Sequence, residues 1–569
     1  MHDYMLTLNP ADYFSTISWP RPPSYKFSDL STYLFGVARH SQTTIHALPP
    51  ELLEHIFSYY THVDDEDIPG IASGIISTHC ISARPRAYAN PLILGHVCSR
   101  WMSISRNQQR LWTKLYVTEP ESAKQVAMAR YWLSLSGTSP LTLSLKISSA
   151  LAMSHAPSSA EGKNREKSRA EAVRRYVDLF LMRYDQWQSI TIKLSGTTYL
   201  PSLLNCGPNS IIYVPKDAPP MLKHVDIDYG SWMLGDRRRP NDAMLSVLYS
   251  APGLDSVSWS AQWYAPTKLV THEVFPHWKN LRKLVYRQGY SYNTLKVADA
   301  IALLDACPLL EHFDALFYPE HGHGGTHEVQ ELVKHRNLRV LDLTIMQSTA
   351  AVLFDSLDLP ALEEVKIEFP SDYGNTVNSA FVGLLKRSEC KLQRVFFDNS
   401  NGGTDSEVIL EVLRSQHLKD LKVLQLAGVR TSGVMRLLTR RAAVEETLAV
   451  LPLLERLDFQ KFAYGDSPSI DDVENMIMSR TKQIRGLGVG RLKKEGHGDA
   501  LTTLARVELQ LGELGTWDYY RLAKLGSRGS KIVLTDMGTR SEMSVPPIMQ
   551  VLSGVRNWIM PGARFAWDH

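Results

Sequence analysis

Cysteine is scarce in this chain of 569 residues. The five cysteines, at positions 80, 98, 206, 307 and 390, lie far apart, with neither the paired spacing of zinc sites nor the density of secreted disulfide-rich proteins. We therefore predict reduced thiols and a location in the cytoplasm or nucleus. No window contains the roughly 18 consecutive apolar residues of a membrane helix, and the chain start lacks a secretion signal, so we expect no membrane partner.

A charge excess of either sign is also missing. The 62 basic residues face 59 acidic residues, which leaves a formal net charge of +3. A chain with so small a net charge has no strong positive electrostatic field to attract nucleic acid. We therefore expect no nucleic-acid partner. Apolar residues make up 44% of the chain, enough for a well-filled interior. The length predicts two or more units, or one extended array.

Sequence motifs of known enzyme chemistry are absent. The chain has no Gly-x-Ser-x-Gly elbow, no P-loop and no His-Glu-x-x-His. His321, His323 and His327 invite a metal site, but they lie in a glycine-rich stretch without a cysteine partner, so a solvated loop is the simpler interpretation. Gly486–Gly490 lacks the strand-to-helix turn of a phosphate site, and Arg237–Arg239 is interpreted as a solvated turn. We predict no enzyme, no catalytic residue, no metal and no cofactor.

Three short segments near the chain start are predicted to be helices that share an apolar face. Pro49 and Pro50 suit a helix start. Apolar residues then recur at three-and-four spacing. These residues are Leu52, Leu53, Ile56, Phe57 and Tyr60 on the first helix, Leu94, Val97, Cys98, Trp101 and Ile104 on the second, and Trp112 on a third segment, Leu111 to Val117. The acidic insert 61–90 between the first two is predicted to be a solvated loop.

The order Leu-Pro-x-Glu-Leu-Leu-x-x-Ile-Phe, Val-Cys-x-x-Trp and Leu-Trp-x-x-Leu resembles the F-box family, in particular its fungal members. Members of that family bind the Skp adaptor of cullin-RING ubiquitin ligases, so the resemblance implies a Skp adaptor and a cullin scaffold as partners. The residues assigned to adaptor binding are Leu48, Pro49, Leu52, Leu53, Ile56, Phe57, Val97, Trp101 and Trp112. The alternative is that these segments are ordinary core helices of a larger domain.

A repeated apolar pattern follows along most of the remaining chain. One apolar residue, two variable residues, an apolar, a variable and an apolar residue recur in copies that begin at Leu222, Leu254, Leu281, Leu310, Leu338, Leu362, Leu392, Leu421, Leu454, Ile484 and Leu504, with Trp187 as a further candidate. The last two apolar positions alternate as on a short strand. Helical stretches such as Val297–Cys307 lie between the copies. Each copy is predicted to be a strand with a returning helix, stacked on its neighbours.

The array resembles leucine-rich repeats of the long, helix-containing type, in irregular form. The resemblance implies an α/β solenoid, in which the three-helix module precedes a horseshoe with parallel strands on the concave face and helices on the convex face. The predicted boundaries are an N-terminal extension 1–44, the helical module 45–117, a connecting and capping region 118–200 with a polar mobile loop 154–170, the repeats 201–529 and a C-terminal cap 530–569. A conventional α/β domain with parallel strands is the alternative.

Residues that alternate with the inward anchors should lie on the concave face, where such solenoids bind partners. The predicted target-binding residues there are Asp226, Asp228, Asp314, Asp342, Phe396, Asp398 and Asp458. Acidic and basic residues are similarly frequent on this face, which favours a protein target over nucleic acid. The leading hypothesis is a substrate-recognition subunit of an SCF-type ubiquitin ligase. The alternatives are a repeat scaffold without ubiquitin-ligase partners and an unrecognised hydrolase.

Overall fold

A long, mostly parallel sheet with helices beside it forms the α/β fold of this chain. The computed structural model describes residues 45–62, 81–83, 90–120, 123–147, 160–193, 217–228, 247–259, 275–287, 295–317, 332–345, 350–368, 374–398, 406–429, 431–439, 450–460, 469–481, 504–511, 531–536 and 542–544. The predictions for 1–44, His321, His323, His327, Arg237–Arg239 and Gly486–Gly490 fall outside these ranges.

Sixteen strands form the main sheet, and each pairs with the next of them along the chain. The two end strands pair antiparallel, and the fourteen between them run parallel. The strands are β1 (Ile81–Ser82), β2 (Lys114–Thr118), β3 (Leu141–Lys146), β4 (Trp187–Lys193), β5 (His224–Asp228), β6 (Ser256–Trp259), β7 (Lys283–Tyr286), β8 (His312–Phe317), β10 (Val340–Ile345), β12 (Glu364–Glu368), β13 (Arg394–Asp398), β14 (Val423–Ala427), β15 (Arg456–Gln460), β16 (Arg506–Leu511), β17 (Lys531–Asp536) and β18 (Glu542–Ser544). A separate small sheet pairs β9 (Val333–Lys334) with β11 (Leu357–Asp358).

The recurring apolar positions lie side by side in neighbouring strands, as the alternation predicts. One buried row, in register from β2 to β16, contains Leu115, Leu143, Ile190, Val225, Val257, Leu284, Phe313, Leu341, Val365, Val395, Leu424, Leu457 and Val507. Each buried aliphatic side chain contributes about 1.5–3 kcal/mol. Because the buried side chains of neighbouring strands lie against one another, each strand stabilises the next.

Helices follow many of the strands. Those that the structure describes with both ends are α1 (Pro50–His62), α2 (Pro91–Leu94), α3 (Ser99–Asn107), α4 (Ala123–Leu135), α5 (Ala160–Leu181), α6 (Val297–Ala306), α7 (Ala350–Asp355), α8 (Gly374–Ser388), α9 (Ser406–Arg414), α10 (Thr431–Leu438) and α11 (Ile470–Thr481). Helix α4 packs on α5, and each helix from α7 to α10 packs on the next. Short 3-10 turns occur at Ile45–Ala47, Gln109–Trp112, Tyr184–Gln186, Phe275–Asn280 and Gln416–Leu418.

The N-terminal boundaries differ from those predicted. The third helical segment is a single 3-10 turn followed by β2, because residues 114–118 alternate between buried and half-exposed positions with the period of a strand. The parallel sheet therefore starts at Lys114 rather than at 201, and the connecting region supplies β3 and β4. Part of the insert 61–90 also belongs to defined elements: Thr61 and His62 form the end of α1, and Ile81–Ser82 is buried against β2.

One further prediction needs correction, that of a polar loop at 154–170. Helix α5 begins at Ala160, inside the predicted polar loop 154–170, because that polar stretch is rich in alanine, glutamate, lysine and arginine, which favour helix. The copy that begins at Ile484 lies outside the described residues. Since β15 pairs directly with β16, no strand of the sheet stands between them. In the predicted cap 530–569, β17 and β18 extend the sheet, and the remainder lies outside the described residues.

Candidate protein-binding surfaces

Helix α1 has a buried side that holds it to the rest of the chain. Pro50 begins the helix, and Glu51 in its first turn complements the helix dipole. Leu53, Phe57 and Thr61 follow one another at intervals of four residues, and all three are fully buried. The Thr61 hydroxyl donates a hydrogen bond to the Phe57 carbonyl oxygen at 2.9 Å, so this polar side chain is satisfied within the helix.

Aromatic contacts connect α1 to the start of the sheet. The Phe57 and Trp101 ring centroids are 4.8 Å apart, and Trp112 meets Trp132 edge to face at 5.3 Å. The Trp112 indole donates to the Ser105 carbonyl oxygen at 2.7 Å. Each aromatic pair contributes about 0.5–1.5 kcal/mol beyond its burial. These side chains form one continuous core with the first strands, so α1, α2 and α3 are fixed to the sheet.

Two side chains at α3 and just after it donate hydrogen bonds to backbone oxygens in and just before α1. The Arg100 guanidinium donates to the Leu48 carbonyl oxygen at 2.6 Å. The Gln108 amide donates to the Glu54 carbonyl oxygen at 3.3 Å. Both bonds join segments more than 50 residues apart in sequence, so they hold α1 at a defined position on α3 in spite of the long insert between them.

We call α1, α2, α3 and the turn between α2 and α3 the helical unit. Its other side exposes apolar side chains. Among the described residues, nine large apolar side chains are exposed, and six of them belong to the helical unit. We call these six the apolar patch: Leu52, Ile56, Tyr59, Tyr60, Ile93 and Val97. Leu52, Ile56 and Tyr59 recur at four and three residues and share one side of α1. The other helix that contributes, α2, packs on α1.

The residues predicted to bind an adaptor divide into two groups. Pro49, Leu52, Ile56 and Val97 are exposed and Leu48 is half-buried, so their side chains are accessible to a partner. Leu53, Phe57, Trp101 and Trp112 are buried in the chain's own core, and the prediction that they touch an adaptor is corrected. These four buried side chains instead pack the helices against one another and against the sheet. Sequence reasoning missed Tyr59 and Ile93, although Tyr59 lies two turns after Leu52 on the same side of α1.

A second candidate surface is the open face of the sheet, the side on which residues alternate with the buried anchors. A connected set of charges crosses this face from the end of β7 to β12. The Arg287 guanidinium donates to Asp314 at 2.7 Å and to Asp342 at 2.9 Å. Lys366 lies 3.2 Å from Asp342, and its ammonium lies 5.5 Å from the centre of the Phe396 ring. The charges therefore satisfy one another across four strands.

The electrostatics of this set reflect its partial burial. Burial raises the pKa of the Asp314 carboxyl, a hydrogen bond from Arg287 opposes that shift, and the nearby Asp342 charge adds to it. The pKa of the Arg287 guanidinium is raised: burial opposes the charged form, but the bond to Asp314 and the charges of both aspartates outweigh it. Carboxylates paired in this way contribute little net negative field for a ligand.

The other predicted target-binding residues are in different environments. The Asp458 side chain is fully buried, with Arg456 at 2.9 Å and the Gln425 amide donating at 2.6 Å, so the prediction that it contacts a target is corrected. Asp226 is paired with Lys193 at 2.8 Å. Asp398 and Phe396 are partly exposed on the open face. The side chain of Asp228 lies outside the described residues.

In the ranges that the structure describes, no group of three or more histidine, cysteine or acidic side chains is placed to hold a metal ion. The described helices are all too short or too polar to cross a membrane.

The chain is structurally similar to proteins of known structure. No protein-family model matches the chain, and no curated protein matches it. Among solved structures, the chain is similar to a chain in the crystal structure of the Rad7 and Elc1 complex in yeast, at 11% sequence identity and a TM-score of 0.36. The alignment covers 79% of this chain and 94% of the other. A similarity at that TM-score defines neither the fold nor the function of this chain.

Proposed function

We propose that the chain is a substrate-recognition subunit of an SCF-type ubiquitin ligase, with the helical unit bound to a Skp adaptor and the repeat array bound to a protein target. The apolar patch carries this proposal. It lies on the segments whose sequence resembles an F-box, and it includes Leu52, Ile56 and Val97, three of the residues that the resemblance assigns to adaptor binding.

The apolar patch places six large side chains in contact with solvent on one small helical unit. Large exposed apolar areas are uncommon on monomeric soluble proteins and typically mark interaction sites. Covering such a surface contributes about 25 cal/mol for each Å² of apolar area removed from water. The buried aromatic frame beneath the patch keeps it rigid, so a partner loses little conformational entropy in ordering it.

The repeat array supplies the second half of the proposal. We interpret the sheet and its helices as a leucine-rich-repeat solenoid, with the open face of the sheet as its concave side. The chain then acts by proximity: it holds a target near the charged ubiquitin carrier, through adaptor and cullin, and raises the effective concentration of the target lysine. No catalytic residue of its own is required.

Co-purification tests the proposal. The full chain is co-expressed with a Skp adaptor, and the adaptor that co-elutes in size-exclusion chromatography is quantified for wild type and for the Leu52→Asp, Ile56→Asp double variant. Leu309→Asp is the control, since Leu309 is also exposed but lies outside the helical unit. Circular dichroism checks that every variant is folded.

We expect the adaptor to co-elute with wild type and with Leu309→Asp, and to be lost from the double variant. Retention of the adaptor by a folded double variant would refute the proposed interface. If wild type binds neither adaptor nor cullin, the chain is better described as a protein-binding scaffold outside the ubiquitin system.

A further inference from the structure

The first three parallel strands present an unusual set of side chains on the open face. In the register of β2, β3 and β4, the outward residues form three rows across the strands. We call these nine residues the lysine face: Lys114, Thr142 and Ser189 in the first row, Tyr116, Ser144 and Thr191 in the second, and Thr118, Lys146 and Lys193 in the third. Every member is either a lysine or a hydroxyl residue, and none carries a carboxylate.

The lysine face is accessible to solvent. Eight of the nine residues are partly exposed, and Ser144 alone is buried. The strand sequences KLYVT, LTLSLK and WQSITIK contain no acidic residue at any position. The face therefore combines three lysine ammonium groups with six hydroxyl groups that can donate hydrogen bonds.

Several cations on the open face of the later strands pair with a carboxylate. Examples are Arg287 with Asp314, Lys366 with Asp342, and Arg394 with Glu364 at 3.2 Å. Among the residues that the structure describes, Lys193 is the one lysine of this face that pairs with a carboxylate, that of Asp226 on β5. Within the described part of the chain, Lys114 and Lys146 form no ion pair.

Two of these lysines repel each other. Lys146 and Lys193 are direct register partners on adjacent strands, whose backbones are about 5 Å apart. Burial lowers the pKa of the Lys146 ammonium, the positive charge of Lys193 lowers it further, and Asp226 opposes both effects. A bound anion between the two ammonium groups would remove this repulsion.

We propose that the lysine face binds an acidic, aspartate- or glutamate-rich segment of a protein. Carboxylates of such a segment pair with Lys114 and Lys146 and compete with Asp226 for Lys193. The intervening hydroxyl groups donate hydrogen bonds to carboxylate or backbone oxygens. A nucleic acid fits less well, because three lysines without an arginine neutralise few phosphates and the chain has a net charge of only +3. Describing this partner as the ligase target rests on the proposed function, but the binding itself does not.

Fluorescence anisotropy on the full chain tests the proposal. The probes are a fluorescein-labelled glutamate-serine repeat peptide and a glutamine-serine peptide of the same length. The test variant is Lys146→Gln, Lys193→Gln. The matched control is Lys386→Gln, Lys391→Gln, which removes the same charge from exposed positions at the end of α8 and just after it.

We expect wild type and the control to bind the acidic peptide and not the glutamine peptide. The test variant should bind the acidic peptide roughly tenfold more weakly, since each partly exposed ion pair contributes about 0.2–1 kcal/mol. Added salt should weaken the wild-type complex, because it screens exposed charges.

Three outcomes would overturn the proposal: no binding of the acidic peptide by wild type, equal binding by wild type and the test variant, or tighter binding of a single-stranded oligonucleotide that depends on the same two lysines. Co-elution of the Skp adaptor is measured on the same variants. If wild type binds the acidic peptide but no adaptor, the ubiquitin-ligase function is refuted and this inference stands.

Discussion

Leu52 and Leu53 are neighbours in the sequence, yet helix α1 turns Leu52 out to 49% exposure and buries Leu53 completely. Adjacent positions on a helix are rotated by about 100°, so one leucine joins the core with Phe57 while the other joins the apolar patch. Leu53 therefore stabilises the helical unit, while Leu52 is available for the proposed binding.

Alanine substitutions at these two positions should have different effects on stability. Leu53→Ala removes a fully buried side chain, and we expect it to lower the free energy of unfolding by about 2–5 kcal/mol. Leu52→Ala should change it by no more than about 0.5 kcal/mol, because the side chain is already half in water. Urea denaturation of both variants measures the difference. Equal losses would mean that Leu52 is also packed.

The buried carboxylate of Asp458 depends on Arg456. Arg456→Met leaves this charge uncompensated in the core, and we expect a loss of about 3–5 kcal/mol in the free energy of unfolding. Arg394→Met is the matched control, since its partner Glu364 is exposed and the loss there should stay below about 1 kcal/mol. Similar losses in the two variants would show that Asp458 is not buried as described.

Two buried thiols should resist alkylation in the folded chain. Burial raises the pKa of Cys307 to about 12 and that of Cys390 to about 11, so the reactive thiolate is scarce at pH 8. We expect Cys98, which is partly exposed, to react with iodoacetamide well before either. Mass spectrometry of tryptic peptides over time measures the order. Early modification of Cys307 would contradict its position in the core.

Acid should destabilise the sheet partly through His312. Burial lowers the pKa of His312 to about 4, and the charge of Lys283 adds to the shift. Its pKa in the unfolded chain is near the ordinary value of about 6.5, so between these two values the unfolded chain binds the proton more readily and stability falls as the pH drops. Urea denaturation at pH 7 and pH 5 should show a smaller loss for His312→Gln than for wild type. An equal loss would assign the acid sensitivity to other groups.

Much of the sheet could be predicted from the sequence, because its signal is local. Apolar residues at alternating positions, such as Val365 and Ile367, are confirmed as buried neighbours in register with Val395 and Phe397. The apolar stripe of α1 was also visible as a pattern. It could not reveal that Leu53 is buried and Leu52 exposed, because that depends on where Trp101 of a distant helix packs.

Charge pairing between strands could not be predicted. Asp314, Asp342 and Asp458 were predicted to contact a target, but cations on their own or neighbouring strands neutralise them. The repeat pattern predicts which strands are neighbours, but not which side chains on neighbouring strands are close enough to pair. The lysine face was missed because the predicted array began at 201, so β2, β3 and β4 were not aligned with one another.

The most direct test of the central claim is isothermal titration calorimetry of the full chain with purified Skp adaptor. We expect a tight complex for wild type. Binding should be weaker by about 1–3 kcal/mol for each of Leu52→Ala, Ile56→Ala and Val97→Ala, with thermal stability unchanged. Leu309→Ala should bind as wild type does. An affinity that is the same for all of these variants would show that the apolar patch is not the adaptor site.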